Sequence, residues 1–284
     1  MSLSNAEKAE VLVKALPYIQ KYHNKILVIK YGGNAMINEE LKKAVMGDVV
    51  LLHQIGIKVV LVHGGGPEIS EMLKKVGKKT DFVGGLRKTD EETMEIVQMV
   101  LAGKINKNLV NLIGNIGGKA IGLSGLDGHM IEAKKKNEKL GFVGEIVGVD
   151  VKTITDVLDA GYIPVISSIG YDKEGNVYNI NADTVAAKIA GALKAYSMIS
   201  MTDIRGILKD KEDPESLISV INASDALRLV KEGVIEGGMI PKVDCCIEAI
   251  RTGVGKVFII DGRVPHSILI EVLSDEGIGT MFTA

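Results

Sequence analysis

Residues 59–67 read VVLVHGGGP, an apolar run that passes directly into a histidine, three glycines and a proline. Four consecutive apolar, mostly β-branched residues are typical of a strand buried on both faces, as in parallel sheets. A proline just after the glycines is typical of the first turn of a helix. Residues 26–34, ILVIKYGGN, form a similar pattern in which a lysine follows the apolar run. The two stretches predict buried strands that end in glycine loops.

Apolar runs of the same kind recur along the chain, at residues 26–29, 59–62, 120–123, 164–167, 198–201 and 257–260. Segments with helical spacing lie between them, at residues 39–55, 67–76, 90–112, 152–160, 183–192, 223–232 and 242–252. Alternating strands and helices predict an α/β fold with an open, mainly parallel sheet and helices on both faces, an α/β/α sandwich.

Glycines and charged residues cluster where the predicted strands end, which is where ligands bind in such sheets. Lys30 and Gly32-Gly33 follow the first strand, Gly64-Gly65-Gly66 the second, and Asp203 and Gly206 the fifth. Residues 171–183 predict a β-hairpin with a turn at residues 173–176. That hairpin brings Asn179, Asn181 and Asp183 to one place.

The composition excludes several classes of protein. With 34 Lys+Arg against 36 Asp+Glu, the net charge of −2 provides no basic field for a nucleic acid or an anionic membrane. No apolar window reaches the length of a membrane span, and the first residues lack the pattern of a signal peptide. The two cysteines, Cys245 and Cys246, are adjacent and cannot form an ordinary disulfide. We therefore expect a cytoplasmic protein.

The common motifs for phosphate and metal are absent from the sequence. It contains no GxxxxGK[ST] and no GxGxxG, and its five histidines and two cysteines show no zinc spacing, so no metal ligand is predicted. Glycine loops at helix starts remain as the device for holding an anion. Each loop alone could equally serve tight packing.

Charged residues next to these loops are candidates for chemistry. Lys30 ends an apolar strand, where a long charged side chain is unusual unless it reaches a cleft. Lys242 follows a second glycine turn at a helix start, and Asp183 is expected to cap a helix, a role compatible with catalysis. Arg87 follows Gly84-Gly85 and could clamp a carboxylate, although a solvated loop arginine is the plainer interpretation.

The first 23 residues differ from the rest of the chain. Ser4 and Glu7 form a capping box, an apolar face follows, and Pro17 should bend the helix. This amphipathic extension, residues 1–23, could pack locally or could be an arm that docks on another subunit. Residues 24–284 are then one domain, with a boundary between two lobes near residue 176.

In combination, Lys30-Tyr-Gly-Gly, His63-Gly-Gly-Gly-Pro, Asn179-Ile-Asn-Ala-Asp183 and Gly237-Gly-Met-Ile-Pro-Lys242 closely resemble the amino-acid-kinase family. The resemblance covers the chain from about residue 25 to its end. Within the family, these motifs are similar to those of members that phosphorylate the side-chain carboxylate of N-acetyl-L-glutamate with ATP, in arginine biosynthesis. The resemblance implies two lobes, residues 24–176 for the acid and residues 177–284 for the nucleotide.

The resemblance also implies roles for individual residues. Lys30 and Lys242 would stabilise the transition state, with Asp183 orienting them. The acetylated amino acid would be bound by Gly65, Gly66, Arg87 and Asn179. The nucleotide would be surrounded by Gly32, Gly33, Asp203, Gly206, Ile207, Leu208, Val234, Ile235 and Glu236. Magnesium would arrive with ATP, held mainly by phosphates and water.

The C-terminal residues 266–281 resemble the signature of arginine-inhibited members, whose N-terminal helix interlaces dimers into a hexamer, a trimer of dimers. The resemblance implies L-arginine as an inhibitor, with Tyr18, Tyr22, Lys194, His266, Glu271 and Gly277 near it. A plain C-terminal helix and cap is the alternative, and the sequence leaves open whether a PII-type partner binds. Two other hypotheses stay open for the whole chain: a sibling kinase acting on carbamate, aspartate, glutamate or UMP, and a non-catalytic arginine sensor.

Overall fold

In the computed structural model, the structure describes residues 4–210 and 212–284. The helices are α1 (Asn5–Lys14), α2 (Leu16–Tyr22), α3 (Glu39–Gln54), α4 (Gly66–Lys75), α5 (Glu91–Gln98), α6 (Asn106–Asn115), α7 (Lys152–Asp159), α8 (Ala182–Ala192), α9 (Ala223–Lys231), α10 (Ile240–Arg251) and α11 (Ser267–Leu273). The strands are β1 (Ile26–Tyr31), β2 (Lys58–His63), β3 (Phe82–Val83), β4 (Leu86–Arg87), β5 (Ala120–Ser124), β6 (Ile131–Lys135), β7 (Gly144–Val149), β8 (Ile163–Ser167), β9 (Ile169–Tyr171), β10 (Val177–Asn179), β11 (Ser197–Thr202), β12 (Val220–Asn222), β13 (Lys256–Asp261) and β14 (Thr280–Thr283).

The main sheet has eight strands in the order β12-β14-β13-β11-β1-β2-β8-β5. The six predicted apolar runs form its six consecutive parallel strands, from β13 to β5. The edge pair β12 and β14 runs in the opposite direction, because β14 is antiparallel to β13 and parallel to β12. The prediction of an open, mainly parallel sheet is therefore confirmed.

Hydrophobic cores lie on both faces of this sheet. Side chains along β1 alternate between them, so that Val28 belongs to one core while Leu27 and Ile29 belong to the other. Helices cover both faces, as burial of a strand on two sides requires. This two-sided core holds the carboxyl ends of β1, β2 and β11 in a fixed register.

The segment predicted as one helix over residues 90–112 contains a π-helical turn. Helix α5 continues through a π-helix at Met99–Ile105 into α6. The amide of Asn106 donates to the carbonyl of Leu101, five residues back, where an α-helix would reach back four. The extra residue changes which side chains the helix presents to the glycine loop at the end of β2.

The hairpin predicted over residues 171–183 is present as β9 and β10, which pair antiparallel. The Asp172 side chain accepts hydrogen bonds from the amides of Glu174 and Asn176, which closes the turn. The hairpin belongs to a smaller sheet of order β10-β9-β6-β7. Asp183 lies beyond it, in the first turn of α8.

The N-terminal segment consists of two short helices that differ in burial. The predicted capping box of Ser4 and Glu7 is present, and the helix breaks at Ala15, before Pro17. Helix α1 buries none of its residues, and Leu12 is 74% exposed. Helix α2 contacts α11 and buries Tyr22. Among the described residues, no helix is long and apolar enough to cross a membrane.

Candidate active site

Three neighbouring cavities lie at the carboxyl ends of the central strands. An inner cavity of about 230 Å³ is lined by the glycine loops after β1 and β2 together with Arg87, Asn179 and Asp183. A middle cavity of about 350 Å³ lies between Lys30, Asp203 and Lys242. An outer cavity of about 270 Å³ is lined by residues 204–208 and 234–236. Lys30 and Gly33 line both the inner and the middle cavity, so these two are contiguous.

Lys30, Asp183 and Lys242, here called the transfer centre, meet where the inner and middle cavities join. The Lys30 ammonium lies 3.2 Å from Asp183 Oδ1, and the Lys242 ammonium lies 3.2 Å from Oδ2 of the same carboxylate. Ser200 Oγ donates to Asp183 Oδ1 at 3.0 Å, and Lys30 also donates to the Met201 carbonyl. One carboxylate thus sets the spacing of two ammonium groups.

Burial and charge act against each other in this centre. Lys30 is 6% exposed and Asp183 8%. Burial lowers the pKa of Lys30, and the Asp183 carboxylate offsets part of that effect. Burial would by itself raise the pKa of Asp183, but the ammonium groups of Lys30 and Lys242 hold it below its ordinary value. Two cations on one anion leave the centre with a net positive charge that favours an anion.

The prediction that Asp183 caps α8 is wrong. Asn181 is the N-cap, and its side-chain oxygen accepts hydrogen bonds from the amides of Asp183 and Thr184. Asn is as good a cap as Asp, and its position one residue before the helix gives it the required geometry. The Asp183 carboxylate is thereby left to hold the two lysines.

The glycine loops approach the transfer centre closely. A Cβ on Gly32 would lie 2.9 Å from Lys30 Nζ, and Gly33, with φ of +71°, would place one against the Asp203 carboxylate. After β2, a Cβ on Gly65 would overlap Ile105 and Leu101, whereas Gly66 faces open space. Gly65 precedes α4, whose first turn has no side-chain cap. The amides of that turn are free to face an anion.

Arg87 also lines the inner cavity. Its guanidinium donates to the Gly66 carbonyl at 2.9 Å, to Ser70 Oγ at 2.8 Å and to Thr80 Oγ1. The side chain packs over the Phe82 ring, Arg87 is only 6% exposed, and burial lowers its pKa. Among the described residues, the hydrogen-bond partners of the Arg87 guanidinium are neutral. A carboxylate that enters the cavity would therefore neutralise the charge of Arg87.

Asn179 lines the same cavity from the end of β10. Its amide donates to Thr89 Oγ1 at 3.3 Å, and Thr89 Oγ1 in turn donates to the Arg87 carbonyl. These bonds tie the side chain of Asn179 to the strand that carries Arg87. The inner cavity is therefore lined by the Asn179 amide, the Arg87 guanidinium and the Lys30 ammonium group, while Lys242 lines the adjoining middle cavity.

Most of the residues predicted for the nucleotide line the other two cavities, whereas Gly32 lines the inner one. Asp203 and Glu236 line the middle one, and the outer one is lined by Gly206, Ile207, Leu208, Val234, Ile235 and Glu236. Thr280 fixes the loop between them, because its hydroxyl accepts from the amide of Ile207 at 2.8 Å. Mainly aliphatic walls beside a charged cavity suit a molecule with an apolar ring and an anionic tail.

Four of the residues predicted for the arginine site come together at the other end of the protein. Tyr18 donates to Asp275, Glu271 accepts from the amide of Ile278 at 3.0 Å, and a Cβ on Gly277 would lie 3.4 Å from Glu271 Oε1. Burial raises the pKa of the Tyr22 hydroxyl, and the nearby negative charge of Glu271 raises it further. Tyr18, Tyr22, Glu271, Asp275 and Gly277 are called the C-terminal cluster.

The other two residues predicted for this site have different surroundings. His266 Nδ1 lies 2.6 Å from the buried carboxylate of Asp48 on α3. Lys194 follows α8 with a positive φ of 46°, two residues before Tyr196, whose ring meets Tyr22 edge-on at 5.1 Å. Burial raises the pKa of Asp48 to about 6 and also raises that of Glu271.

Several functional neighbours were missed at the level of sequence. Ser200, Thr80, Ser70 and Thr89 bond the predicted residues directly. Ser200 was in principle detectable, since a polar side chain near the end of a buried strand is unusual. The hydroxyls around Arg87 carry no such signal, because they are brought together only by folding.

Comparisons with known proteins indicate the family of the chain. The model of the amino acid kinase family matches residues 25–261. The chain is 57% identical over 283 residues to a protein named acetylglutamate kinase from Brachyspira hyodysenteriae, covering 99% of this chain and 98% of that one.

Solved structures support the fold. N-acetylglutamate synthase from Neisseria gonorrhoeae, complexed with coenzyme A and N-acetyl-glutamate, superposes with a TM-score of 0.85 at 23% identity. The same synthase complexed with coenzyme A and L-arginine has a TM-score of 0.80 at 22% identity. Each match covers 97% of this chain, but the chain spans only 63% and 65% of those synthase chains. The family model, the near full-length relative and the shared fold establish that this chain belongs to the amino acid kinase family.

Proposed function

We propose that this protein transfers the γ-phosphoryl group of ATP to the side-chain carboxylate of N-acetyl-L-glutamate, forming N-acetylglutamyl 5-phosphate in arginine biosynthesis. The observation that carries the proposal is the transfer centre, in which Asp183 holds Lys30 and Lys242 at the junction of two cavities. The name and high identity of the near full-length relative support the same activity.

The inner cavity is the site for the acceptor. Arg87 forms charge-assisted hydrogen bonds with the α-carboxylate, and Asn179 forms neutral hydrogen bonds with the acetamido group, which directs the side-chain carboxylate towards Lys30. A free carboxyl group of this kind has a pKa of about 4.3, so it is ionised at neutral pH and needs no general base.

The chemical step then depends on alignment and on neutralisation of charge. An anionic carboxylate must approach an anionic phosphate, and the two lysines with the amides of Gly65 and Gly66 compensate the equatorial charge. Asp183 fixes the spacing of the ammonium groups before the substrates arrive, so little reorganisation is needed in the transition state. The bond from the β–γ bridging oxygen to the γ-phosphorus breaks as the bond to the carboxylate forms.

The nucleotide occupies the middle and outer cavities. Ile207, Leu208, Val234 and Ile235 would flank the base, and the phosphates would extend past Gly32 and Gly33 to Lys242. Among the described residues, no group of three or more His, Cys, Asp or Glu could hold a metal. A magnesium ion that neutralises the phosphates would therefore be held mainly by those phosphates and by water, with Asp203 and Glu236 the carboxylates that line the middle cavity.

We further propose inhibition by L-arginine at the C-terminal cluster, a homo-hexamer built as a trimer of dimers, and a cytoplasmic location. Glu271 could pair with a guanidinium, and the apolar side chains that α1 exposes suit docking on a second subunit.

The free, adjacent cysteines suit a reducing compartment. We keep the division into an acid lobe (24–176) and a nucleotide lobe (177–284) as part of the proposal.

A coupled assay of ADP release tests the activity. N-acetyl-L-glutamate is compared with glutamate, aspartate, carbamate and UMP, each with and without millimolar L-arginine. Turnover restricted to N-acetyl-L-glutamate is expected, and preference for another acceptor would favour a sibling kinase. Arginine binding without turnover would indicate a sensor, although a sensor has no need of Lys30, Asp183 and Lys242 together.

A further inference from the structure

A buried histidine lies directly beneath the glycine loop that faces the transferred phosphoryl group. His63 is the last residue of β2 and is 0% exposed. Its ring Nδ1 lies 2.9 Å from the carbonyl oxygen of Gly64, the next residue. Because a carbonyl only accepts, Nδ1 carries the proton, and the neutral ring has its lone pair on Nε2. Burial lowers the pKa of His63 to about 4, which keeps the ring neutral at physiological pH.

Asn106 completes the arrangement from the opposite side. Its amide nitrogen lies 3.1 Å from His63 Nε2 and so donates to the free lone pair. The same nitrogen lies 2.9 Å from the Val165 carbonyl and 3.2 Å from the Leu123 carbonyl, which fixes it against β8 and β5. Asn106 is 1% exposed, and both groups lie outside the cavity that holds the substrates.

The π-helical turn explains why Asn106 reaches this position. The turn ends at Ile105, and the next residue is the asparagine. Within the turn, Leu101 and Ile105 press against Gly65, where a Cβ would overlap both of them. The turn therefore contacts the glycine loop with the side chains of Leu101 and Ile105. The residue after it, Asn106, supports the histidine of that loop. Irregular helical turns of this kind often occur at functional sites.

We infer that His63 and Asn106 are positioning residues for phosphoryl transfer, acting as a buried relay of hydrogen bonds that sets the orientation of the Gly64–Gly65 peptide. This inference rests on the proposed function. The Gly64 amide donates to the Tyr31 carbonyl at 3.3 Å, and its own carbonyl accepts from His63, so the residue is held on both sides. The amides of Gly65 and Gly66 are thereby directed into the cavity at the anion.

The relay affects the transition state more than the ground state. In the proposed function the acceptor is bound mainly by Arg87 and Asn179, and Arg87 is held by Ser70 and Thr80 as well as by the Gly66 carbonyl. A misoriented glycine peptide leaves those contacts in place but displaces donors from the developing charge, and a shift of about 1 Å can cost about 100-fold in rate. Loss of the relay should therefore lower kcat with little change in KM.

Steady-state kinetics on four variants at His63 and Asn106 test this inference. His63→Leu removes both hydrogen bonds, and kcat should fall about 100-fold while KM for N-acetyl-L-glutamate changes less than about threefold. His63→Asn keeps a donor near Nδ1 and should recover most of the rate. Asn106→Ala should fall between the two, and the double variant His63→Leu with Asn106→Ala should be no worse than His63→Leu alone.

Asn108→Ala is the matched control, because Asn108 is exposed on the same helix two residues further along. It should keep the wild-type kcat. Thermal unfolding of every variant separates a loss of fold from a loss of positioning. An unchanged kcat in folded His63→Leu would overturn the inference, as would a fall that His63→Asn fails to recover.

A second readout does not depend on activity. Two-dimensional NMR that correlates the ring nitrogens with the ring protons should show His63 neutral, with the proton on Nδ1, from pH 8 down to pH 5.5. A proton on Nε2, or a ring that is charged throughout this range, would contradict the relay even in an active enzyme. If the wild-type protein shows this tautomer but phosphorylates no acceptor, the proposed function fails and the hydrogen-bond geometry stands.

Discussion

The transfer centre and the C-terminal cluster are both assembled from residues far apart in sequence, but they are supported differently. Lys30 lies on a central strand and Asp183 in the first turn of a buried helix, so the main sheet fixes both. The C-terminal cluster lies on α2 and α11, of seven residues each, and on the loop that follows. In the proposed function, catalysis therefore lies on elements of the central sheet, while the part expected to respond to an effector lies on short helices and a loop.

The strongest way to break this contrast is to remove one ammonium group from the transfer centre. Lys30→Ala or Lys242→Ala should lower kcat by about 10²–10³-fold, because each cation stabilises charge that develops in the transition state. KM for N-acetyl-L-glutamate should change much less. Steady-state kinetics measure both constants. A raised KM with unchanged kcat would show that the lysine does not stabilise the transition state.

Removing Arg87 should show the opposite division between the two constants. Arg87→Ala should raise KM for N-acetyl-L-glutamate by about 10–100-fold, because charge-assisted hydrogen bonds contribute about 1.5–3 kcal/mol. Arg87→Lys should recover only part of this loss, since an ammonium group lacks the planar fork. Varying the concentration of N-acetyl-L-glutamate at saturating ATP measures this KM. A wild-type KM in Arg87→Ala would show that N-acetyl-L-glutamate binds at another site.

The C-terminal cluster should respond to substitution without any loss of basal turnover. Glu271→Gln should keep the wild-type kcat and raise the arginine concentration for half-inhibition by about 10–100-fold, since it removes the charged partner of a guanidinium. Inhibition curves at fixed substrate concentrations measure this value. A parallel fall of kcat in Glu271→Gln would contradict the separation of the two regions.

Shortening the N-terminus sharpens the contrast further. Deleting residues 1–23 should keep activity, abolish arginine inhibition and reduce hexamers to dimers. Deleting only residues 1–14 removes α1, none of whose residues is buried, and leaves Tyr18 and Tyr22 in place. This shorter deletion should reduce the assembly while retaining arginine binding. Sedimentation and calorimetry with arginine check both, and an intact hexamer would show that the helix packs only locally.

The smallest expected effect is on the pH profile. Burial lowers the pKa of Lys30, so the folded protein loses that proton below pH 10.5, where the unfolded chain still holds it. Because turnover needs the ammonium form, kcat should fall on the alkaline side before pH 10.5. Lys30→Arg should move this fall to higher pH, since a guanidinium stays charged. If kcat falls at the same alkaline pH in the wild-type protein and in Lys30→Arg, a group other than Lys30 causes the fall.

The parts of the fold that sequence predicted are those with strong local signals. Uninterrupted apolar runs identified the six central strands, and their polar ends identified Lys30, Asp203 and the glycine loops. Helix starts identified the neighbourhood of Asp183 and Lys242. These features depend on burial and backbone conformation, which residue type alone largely determines.

The missed features depend on contacts between distant residues. Strands β3, β4 and β12 have two or three residues each, too few for a periodic pattern. The π-helical turn has an ordinary helical sequence, and it is visible only in the folded backbone, where the Asn106 amide donates to the Leu101 carbonyl. Asn181 and Asp183 are both good helix caps, so residue type alone could not say which one is free to hold lysines.

The proposed reaction forms an acyl phosphate on the side-chain carboxylate of the acceptor, at the transfer centre. Hydroxylamine converts acyl phosphates into hydroxamates, so hydroxamate produced from ATP and N-acetyl-L-glutamate measures this step directly. The wild-type protein should form it in proportion to ADP, and Lys242→Ala should form about 10²–10³-fold less in the same time. ADP release by the wild-type protein without any hydroxamate would contradict transfer to a carboxylate.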